Sequence, residues 1–166
     1  MSRFNSNPSV GTASVTFTSS STGTMIFTVN GVTTAKTISR LEFGLVNTAP
    51  ITDYTDMWWG GTSQNGWGVV LSQQYHNIFA AWYTYDTNGK TMWYVMPDGA
   101  WTNNTYSGTL YSTKSKPVIG VAYDPSALVV TTVGNLSITF TDANNATMTY
   151  TVNGVTQTKA ITRIPF

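Results

Sequence analysis

The chain has no cysteine, a single histidine and few charges, and each shortage removes a class of function. Without cysteine there is no disulfide framework, no thiolate nucleophile and no Cys-ligated metal. With His76 as the only imidazole, the His/Cys cages that hold zinc and its neighbours are out of reach, and no metal or cofactor is expected. Charged residues make up 9% of the chain, against about 25% in a typical soluble domain. The net charge is +1 and no Lys/Arg cluster extends beyond Lys114-Ser-Lys116, so the basic footprint for phosphate backbones or anionic membranes is missing. Neither nucleic acid nor membrane is expected as a partner. No apolar run approaches the roughly 20 residues of a membrane-spanning helix. Met1-Ser-Arg-Phe does not open a signal-peptide apolar region. Nor does any useful window place apolar residues at i, i+3, i+4 and i+7, so almost no helix is expected.

Ser, Thr, Asn, Gly and aromatic residues fill the space instead. A surface of neutral hydroxyls and amides points to an exported bacterial protein, secreted or at the cell surface. At 166 residues the chain suits one domain, or one domain with an appendage, and can bury a real core.

The strongest internal signal is a repeat. Val10–Phe43 and Val133–Phe166 align without a gap at a constant offset of 123 residues, with 18 identities in 34 positions. Each copy alternates β-branched and aromatic residues: Val15, Phe17, Met25, Phe27 and Val29 in the first, Ile138, Phe140, Met148, Tyr150 and Val152 in the second. Asn30-Gly31 and Asn153-Gly154 sit between the alternating runs, where type I′ hairpin turns need positive φ. Each copy therefore reads as a three-stranded meander. Lys36/Arg40 and Lys159/Arg163 recur at matching positions and read as solvated ends of the third strand.

Between the copies, a linker (Gly44–Thr52, with Pro50) leads to strands expected near 66–73, 77–86, 90–96, 105–113 and 127–133. Asp86-Thr-Asn-Gly89 closes a hairpin. It lacks the bidentate Glu of a calcium loop, so it reads as turn chemistry. Lys114–Ala127, with Pro117, Gly120 and Pro125, is a long loop. Five strands plus the C-terminal meander give an all-β, antiparallel up-and-down barrel of about eight strands, closed to remove its edges. The N-terminal meander is then surplus, which divides the chain at 1–52 and 53–166. The first part reads as the tail of a preceding repeat, free to cover the barrel, extend a sheet or associate with another chain.

Met57–Met96 holds Trp58, Trp59, Trp67, Trp82 and Trp93 out of six tryptophans in the chain. Such rings either pack a core or present an apolar face with a polar handle. Alternation puts Phe79, Ala81, Tyr83 and Tyr85 on one side of a strand and Ile78, Ala80, Trp82 and Thr84 on the other. Mid-strand Trp67 and Trp82 read as core, with Gly66 and Gly68 making room for Trp67. Trp58, Trp59 and Trp101, in Gly/Asn-rich loops, read as exposed. Rings stack on the C–H face of a pyranose, and amides meet hydroxyls without charge. The candidate carbohydrate-binding set is therefore Trp58, Trp59, Gln64, Trp67, Gln73, Trp93, Tyr94 and Trp101.

Gly66-Trp67-Gly68, Phe79-Ala80-Ala81-Trp82-Tyr83-Thr84-Tyr85-Asp86, Gly89-Lys90, Trp93-Tyr94 and Tyr106-Ser107-Gly108-Thr109-Leu110-Tyr111 together resemble a Trp-rich repeat module of exported proteobacterial proteins. The closing VNGVTQTKAITRIPF is similar to the end of that module. The resemblance covers roughly Asp53 to Phe166 and implies a modular, exported architecture without assigning an activity. In that module an acidic residue precedes Ser-Gly-Trp-Gly and a His-Gln pair follows. Here Gln64 and Gln73-Gln74 stand in those places, so an acid/base or metal role carried there is lost or altered.

Three function classes follow. The leading one is a non-catalytic binding module for neutral carbohydrate. The second is a calycin-like barrel holding a small apolar ligand among Trp67, Trp82, Trp93 and Tyr94, although the Gly-x-Trp motif of lipocalins is not matched. The third is a structural or adhesive tandem repeat that self-associates through its N-terminal meander. Catalysis has thin support, because His76 sits alone in a turn and the one close carboxylate pair, Asp53 and Asp56, reads as loop or cap residues.

Overall fold

The computed structural model describes residues 8–44, 52–116 and 119–164. Twelve strands form among them: β1 (Gly11–Phe17), β2 (Thr22–Val29), β3 (Val32–Ser39), β4 (Asp56–Trp59), β5 (Gly68–Gln74), β6 (Asn77–Tyr85), β7 (Thr91–Met96), β8 (Ala100–Thr102), β9 (Thr105–Lys114), β10 (Val129–Phe140), β11 (Asn145–Val152) and β12 (Val155–Arg163). The helical content is two single 3₁₀ turns, Thr62–Gln64 and Pro125–Ala127, as the missing helical periodicity predicts.

Eight strands close into an antiparallel barrel in the order β4-β5-β6-β7-β9-β10-β11-β12, with β12 returning to β4 through Thr162↔Trp59 and Arg163↔Trp58. β10 locks to β9 over a long ladder from Val129↔Lys114 to Thr139↔Thr105. β8 continues the β7 side of β9, pairing Trp101 with Tyr106. The barrel expectation therefore holds, but two of its strands differ. β4 is only four residues long, Asp-Met-Trp-Trp, too short to show an alternating period, and β5 and β12 support it from either side. The strand expected at 127–133 is the first part of β10, which runs unbroken through the start of the repeated segment. The ladder shifts register between Thr132 and Gly134. Gly134 has φ 154°, and a Cβ there would run into the Thr151 carbonyl oxygen, so the long strand bends at a residue without a side chain.

Local turn chemistry agrees with the sequence. Asn30 and Gly31 have φ 49° and 82°, and Asn153 and Gly154 have φ 49° and 84°, the two positive values a type I′ turn demands. In the β6–β7 hairpin, Asp86 Oδ1 accepts hydrogen bonds from the backbone N–H of Asn88 and of Lys90, each at 2.8 Å. That carboxylate is engaged in the turn.

Alternation then fills the barrel. Val69 and Leu71 of β5, Ile78, Ala80 and Trp82 of β6, Tyr94 and Met96 of β7, Tyr106 and Leu110 of β9, and Leu136, Ile138 and Phe140 of β10 form one buried cluster with Ala146, Met148 and Ile161. Each aliphatic side chain so buried is worth about 1.5–3 kcal/mol. The Tyr106 hydroxyl accepts a hydrogen bond from the Ile78 N–H at 3.1 Å inside this core, and burial pushes its phenol above the ordinary tyrosine range.

β1, β2 and β3 form a separate three-stranded antiparallel sheet. Its register, Gly11↔Val29 through Phe17↔Gly23, reproduces that of β10–β11, Gly134↔Val152 through Phe140↔Ala146, at the same 123-residue offset. By its contacts the chain divides into two compact units, Met1–Leu41 with Ser115–Leu128, and Glu42–Lys114 with Val129–Phe166. The long loop thus groups with the N-terminal sheet, which differs from a division at 52/53. Residues 45–51, most of the expected linker, lie outside the described residues.

Matched positions in the two meanders have opposite environments. Ile138 is fully buried, whereas Val15, its counterpart, is 46% exposed. Ile138→Ala is expected to cost about 2–5 kcal/mol in urea denaturation, and Val15→Ala no more than about 0.5 kcal/mol. The phenols of Tyr83, Tyr94, Tyr106 and Tyr150 are all raised, chiefly by burial. Because the unfolded chain ionises its tyrosines first, near pH 10, stability is constant below that pH and falls as pH climbs toward the raised folded values. Tyr106→Phe should lower stability at neutral pH, by leaving the Ile78 N–H unpaired, yet flatten the alkaline fall. Denaturation midpoints from pH 8 to 11 check both.

Candidate functional site

One end of the barrel carries an aromatic cluster built by its shortest strands. Tyr54, just before β4, stacks on Phe140 at the end of β10, with centroids 3.6 Å apart and planes 14° from parallel. Trp58 of β4 meets Phe140 edge-on at 5.5 Å and donates its indole N–H to the Tyr54 carbonyl at 3.1 Å. Trp101 of β8 lies 6.0 Å from Tyr54 and 5.1 Å from Tyr106. Its indole N–H donates to the His76 carbonyl at 2.7 Å, across to the β5–β6 turn. Arg163 crosses above Trp58, 5.3 Å from the ring, donates to the Asp53 carbonyl at 2.8 Å and stands 3.6 Å from Asp56. This arginine therefore holds the start of β4 in place and is not simply a solvated strand end. Cation–π contact and partly exposed ion pair are each worth up to about 1 kcal/mol.

Above the cluster opens a cleft of about 160 Å³ lined by Thr52, Tyr54, Gln73, His76, Trp101, Asn103 and Asn104. Gln73 builds its wall. Its Oε1 accepts the Tyr54 N–H at 2.9 Å, and its Nε2 donates to the Thr52 and Tyr75 carbonyls at 3.0 and 2.8 Å. Both amide donors are thus spent on the fold. On the far side Asn104 Nδ2 donates to the Phe140 carbonyl at 2.7 Å, while Asn103, at φ 54°, turns the chain from β8 into β9. The lining holds aromatic faces, amides, the hydroxyls of Thr52 and Tyr54 and one imidazole, with no carboxylate, lysine or arginine.

The structure gathers only part of the expected binding set here. Trp101 and Gln73 line the cleft, Trp101 half-buried as a wall and Gln73 as a brace. Trp58 and Trp59, expected exposed, are 0% and 8% accessible: pairing on both sides of β4 pulls them into the barrel wall, and Trp58 becomes the floor beneath Tyr54. Tyr94 is buried at the other end of the barrel, where Trp82 packs against it at 5.2 Å and against Tyr150 at 4.3 Å. Trp67 is partly buried against the core, although it lies just before β5 and not in the middle of a strand. The glycine expectation shifts with it. Gly60 makes the room for Trp67 beside Gln64, whereas Gly66 and Gly68 lie under the hydroxyls of Tyr85 and Tyr83. Trp93 is 63% exposed on the outer wall of β7 and donates to Thr113 Oγ1 at 3.2 Å, remote in the fold from Trp101.

Sequence reasoning missed Tyr54, His76, Asn103 and Asn104. The Asn103-Asn104 pair between Trp101 and Thr105 is a turn signal that could have marked β8 as a hairpin arm. No local signal marks Tyr54, because its role depends on Phe140, 86 residues away in the chain. Of the residues expected around an interior ligand, Trp82 and Tyr94 are buried and Trp93 is exposed. No protein-family model, curated protein or solved structure matches the chain.

Proposed function

We propose that the protein is a non-catalytic binding module for neutral carbohydrate, and that the ligand enters the cleft between Tyr54 and Trp101. The observation carrying this reading is the lining: two aromatic walls meet a rim of His76, Asn103 and Asn104, with no carboxylate, lysine or arginine. Trp101 commits its N–H to the His76 carbonyl, which fixes the ring and reserves its face for a ligand. A pyranose offers an apolar C–H face for such a ring and hydroxyls for amides. Pockets that engulf drug-sized molecules run roughly 300–1,000 Å³. At about 160 Å³ the cleft suits one sugar ring, such as a chain terminus or a single exposed residue of a polysaccharide. Catalysis finds no support here, because His76 is the only titratable side chain in the lining besides the phenol of Tyr54. Secretion or surface display fits a glycan-binding role and the neutral surface.

Titration of tryptophan fluorescence against monosaccharides and neutral oligosaccharides tests the assignment. Saturable quenching or shift is expected, with Trp101→Ala weakening affinity at least tenfold, about 1.4 kcal/mol. Trp93→Ala should leave affinity unchanged while removing the most exposed emitter. Loss of binding with Trp93→Ala and not with Trp101→Ala would move the site to the outer wall of β7 and overturn the cleft assignment.

A further inference from the structure

The two meanders have the same register and share Phe, Met and Ile at matching positions (Phe17 and Phe140, Met25 and Met148, Ile38 and Ile161), but have different surroundings. In β10–β12, the β10 edge is paired to β9, the β12 edge is paired to β4, and the inner face is covered by the opposite barrel wall. In β1–β3, the outer edges of β1 and β3 have no strand partner among the described residues. Every residue of β1 is exposed, with Val15 at 46% and Phe17 at 73%. Their counterparts Ile138 and Phe140 are 0% and 2% exposed. Two open edges and an uncovered apolar row on one sheet are a template for strand pairing. A three-stranded sheet without a covered face is also marginal by itself.

We infer that β1–β3 is a closing meander that completes a barrel on another polypeptide chain. Its partner is a six-strand wall of the β4–β9 kind whose own closing meander is not seated. What covers the face of β10–β12 defines what fits β1–β3, position by position: Val15 would enter where Ile138 lies, Phe17 where Phe140 stacks on Tyr54, and Met25 where Met148 is buried. Arg40 occupies the position of Arg163, so on docking it would meet an Asp56 carboxylate and a Trp58 ring. An intact copy of this chain offers no vacancy. Its site is held by β10–β12, which brings Leu136 and Ile138 where the N-terminal meander brings Ala13 and Val15. The recognition is donor-strand completion, with backbone pairing at both edges supplying affinity and the inward side chains supplying register.

The absence of cysteine allows a direct test with full-length chains. Thr105 and Thr139 face one another across β9 and β10, their hydroxyls 2.8 Å apart. Thr16 is the N-terminal counterpart of Thr139. The donor carries Thr16→Cys alone. The acceptor carries Thr105→Cys with Ile138→Asp, to unseat its β10–β12, and Val15→Asp, to bar its own β1. After mixing under mild oxidation, peptide mapping should find a 16–105 disulfide between the two chains. It should be at least tenfold more abundant than with a Phe17→Asp donor or with an acceptor that retains Ile138 and Val15. To guard against precipitation of the acceptor, donor and acceptor are also co-refolded from urea, so that the donor meander is present as the barrel forms. A 16–105 bridge no more abundant than with the Phe17→Asp donor, in both formats, would overturn the inference. A bridge equally abundant with the acceptor retaining Ile138 and Val15 would show contact without seat exchange, and would overturn it too.

Discussion

Closure is the constraint on which the rest of the barrel depends. An open antiparallel sheet of this length would expose two edges and an apolar face, and the chain has few charges with which to protect either. The β10–β9 ladder and the short β12–β4 contact remove both edges together. They are unequal: one is a long two-residue-periodic ladder, the other only two residue pairs. The weaker seam is reinforced by side chains, with Arg163 reaching Asp53, Asp56 and Trp58 at that point. A bend at Gly134 lets β10 serve both the β9 ladder and the β11 hairpin without steric conflict.

The cleft is a by-product of that seam. β4 and β8 are the shortest strands, four and three residues, and each delivers a tryptophan to the same end of the barrel. Because β4 is held on both sides, Trp58 becomes a floor. Because β8 pairs only with β9, Trp101 stays at the rim, tied to the β5–β6 turn by one hydrogen bond. Trp58 and Trp101 therefore end in different roles according to how many strand partners their backbones have.

The same logic separates the two meanders. Their residues, turns and registers match, yet one is core and the other is largely solvent-facing, since burial is a property of the partner strands and not of the strand itself. The outer edges of β1 and β3 stay unpaired among the described residues, the kind of edge that templates strand pairing.

Much of the architecture was legible before any coordinates. The repeat, the Asn-Gly turns, the Asp86 hairpin, the near absence of helix and the two faces of β6 all follow from local rules: positive φ favours Gly and Asn, and side chains alternate along a strand. A barrel of eight strands followed from the same patterns, although β4 was too short to show a period and the 127–133 segment belonged to β10. The site was legible only in part. Trp101 and Gln73 were anticipated, but composition alone could not tell that Gln73 would spend its amide on Thr52, Tyr54 and Tyr75, or that Trp58 and Trp59 would be buried. What the sequence by itself determined is most of the longer strands, their turns and which residues share a face, because these depend on neighbours a few residues away. Only the tertiary structure decided which faces are covered, which edges are paired and which tryptophan is left at a cleft, because these depend on segments separated in the chain, as where Thr162 of β12 meets Trp59 of β4.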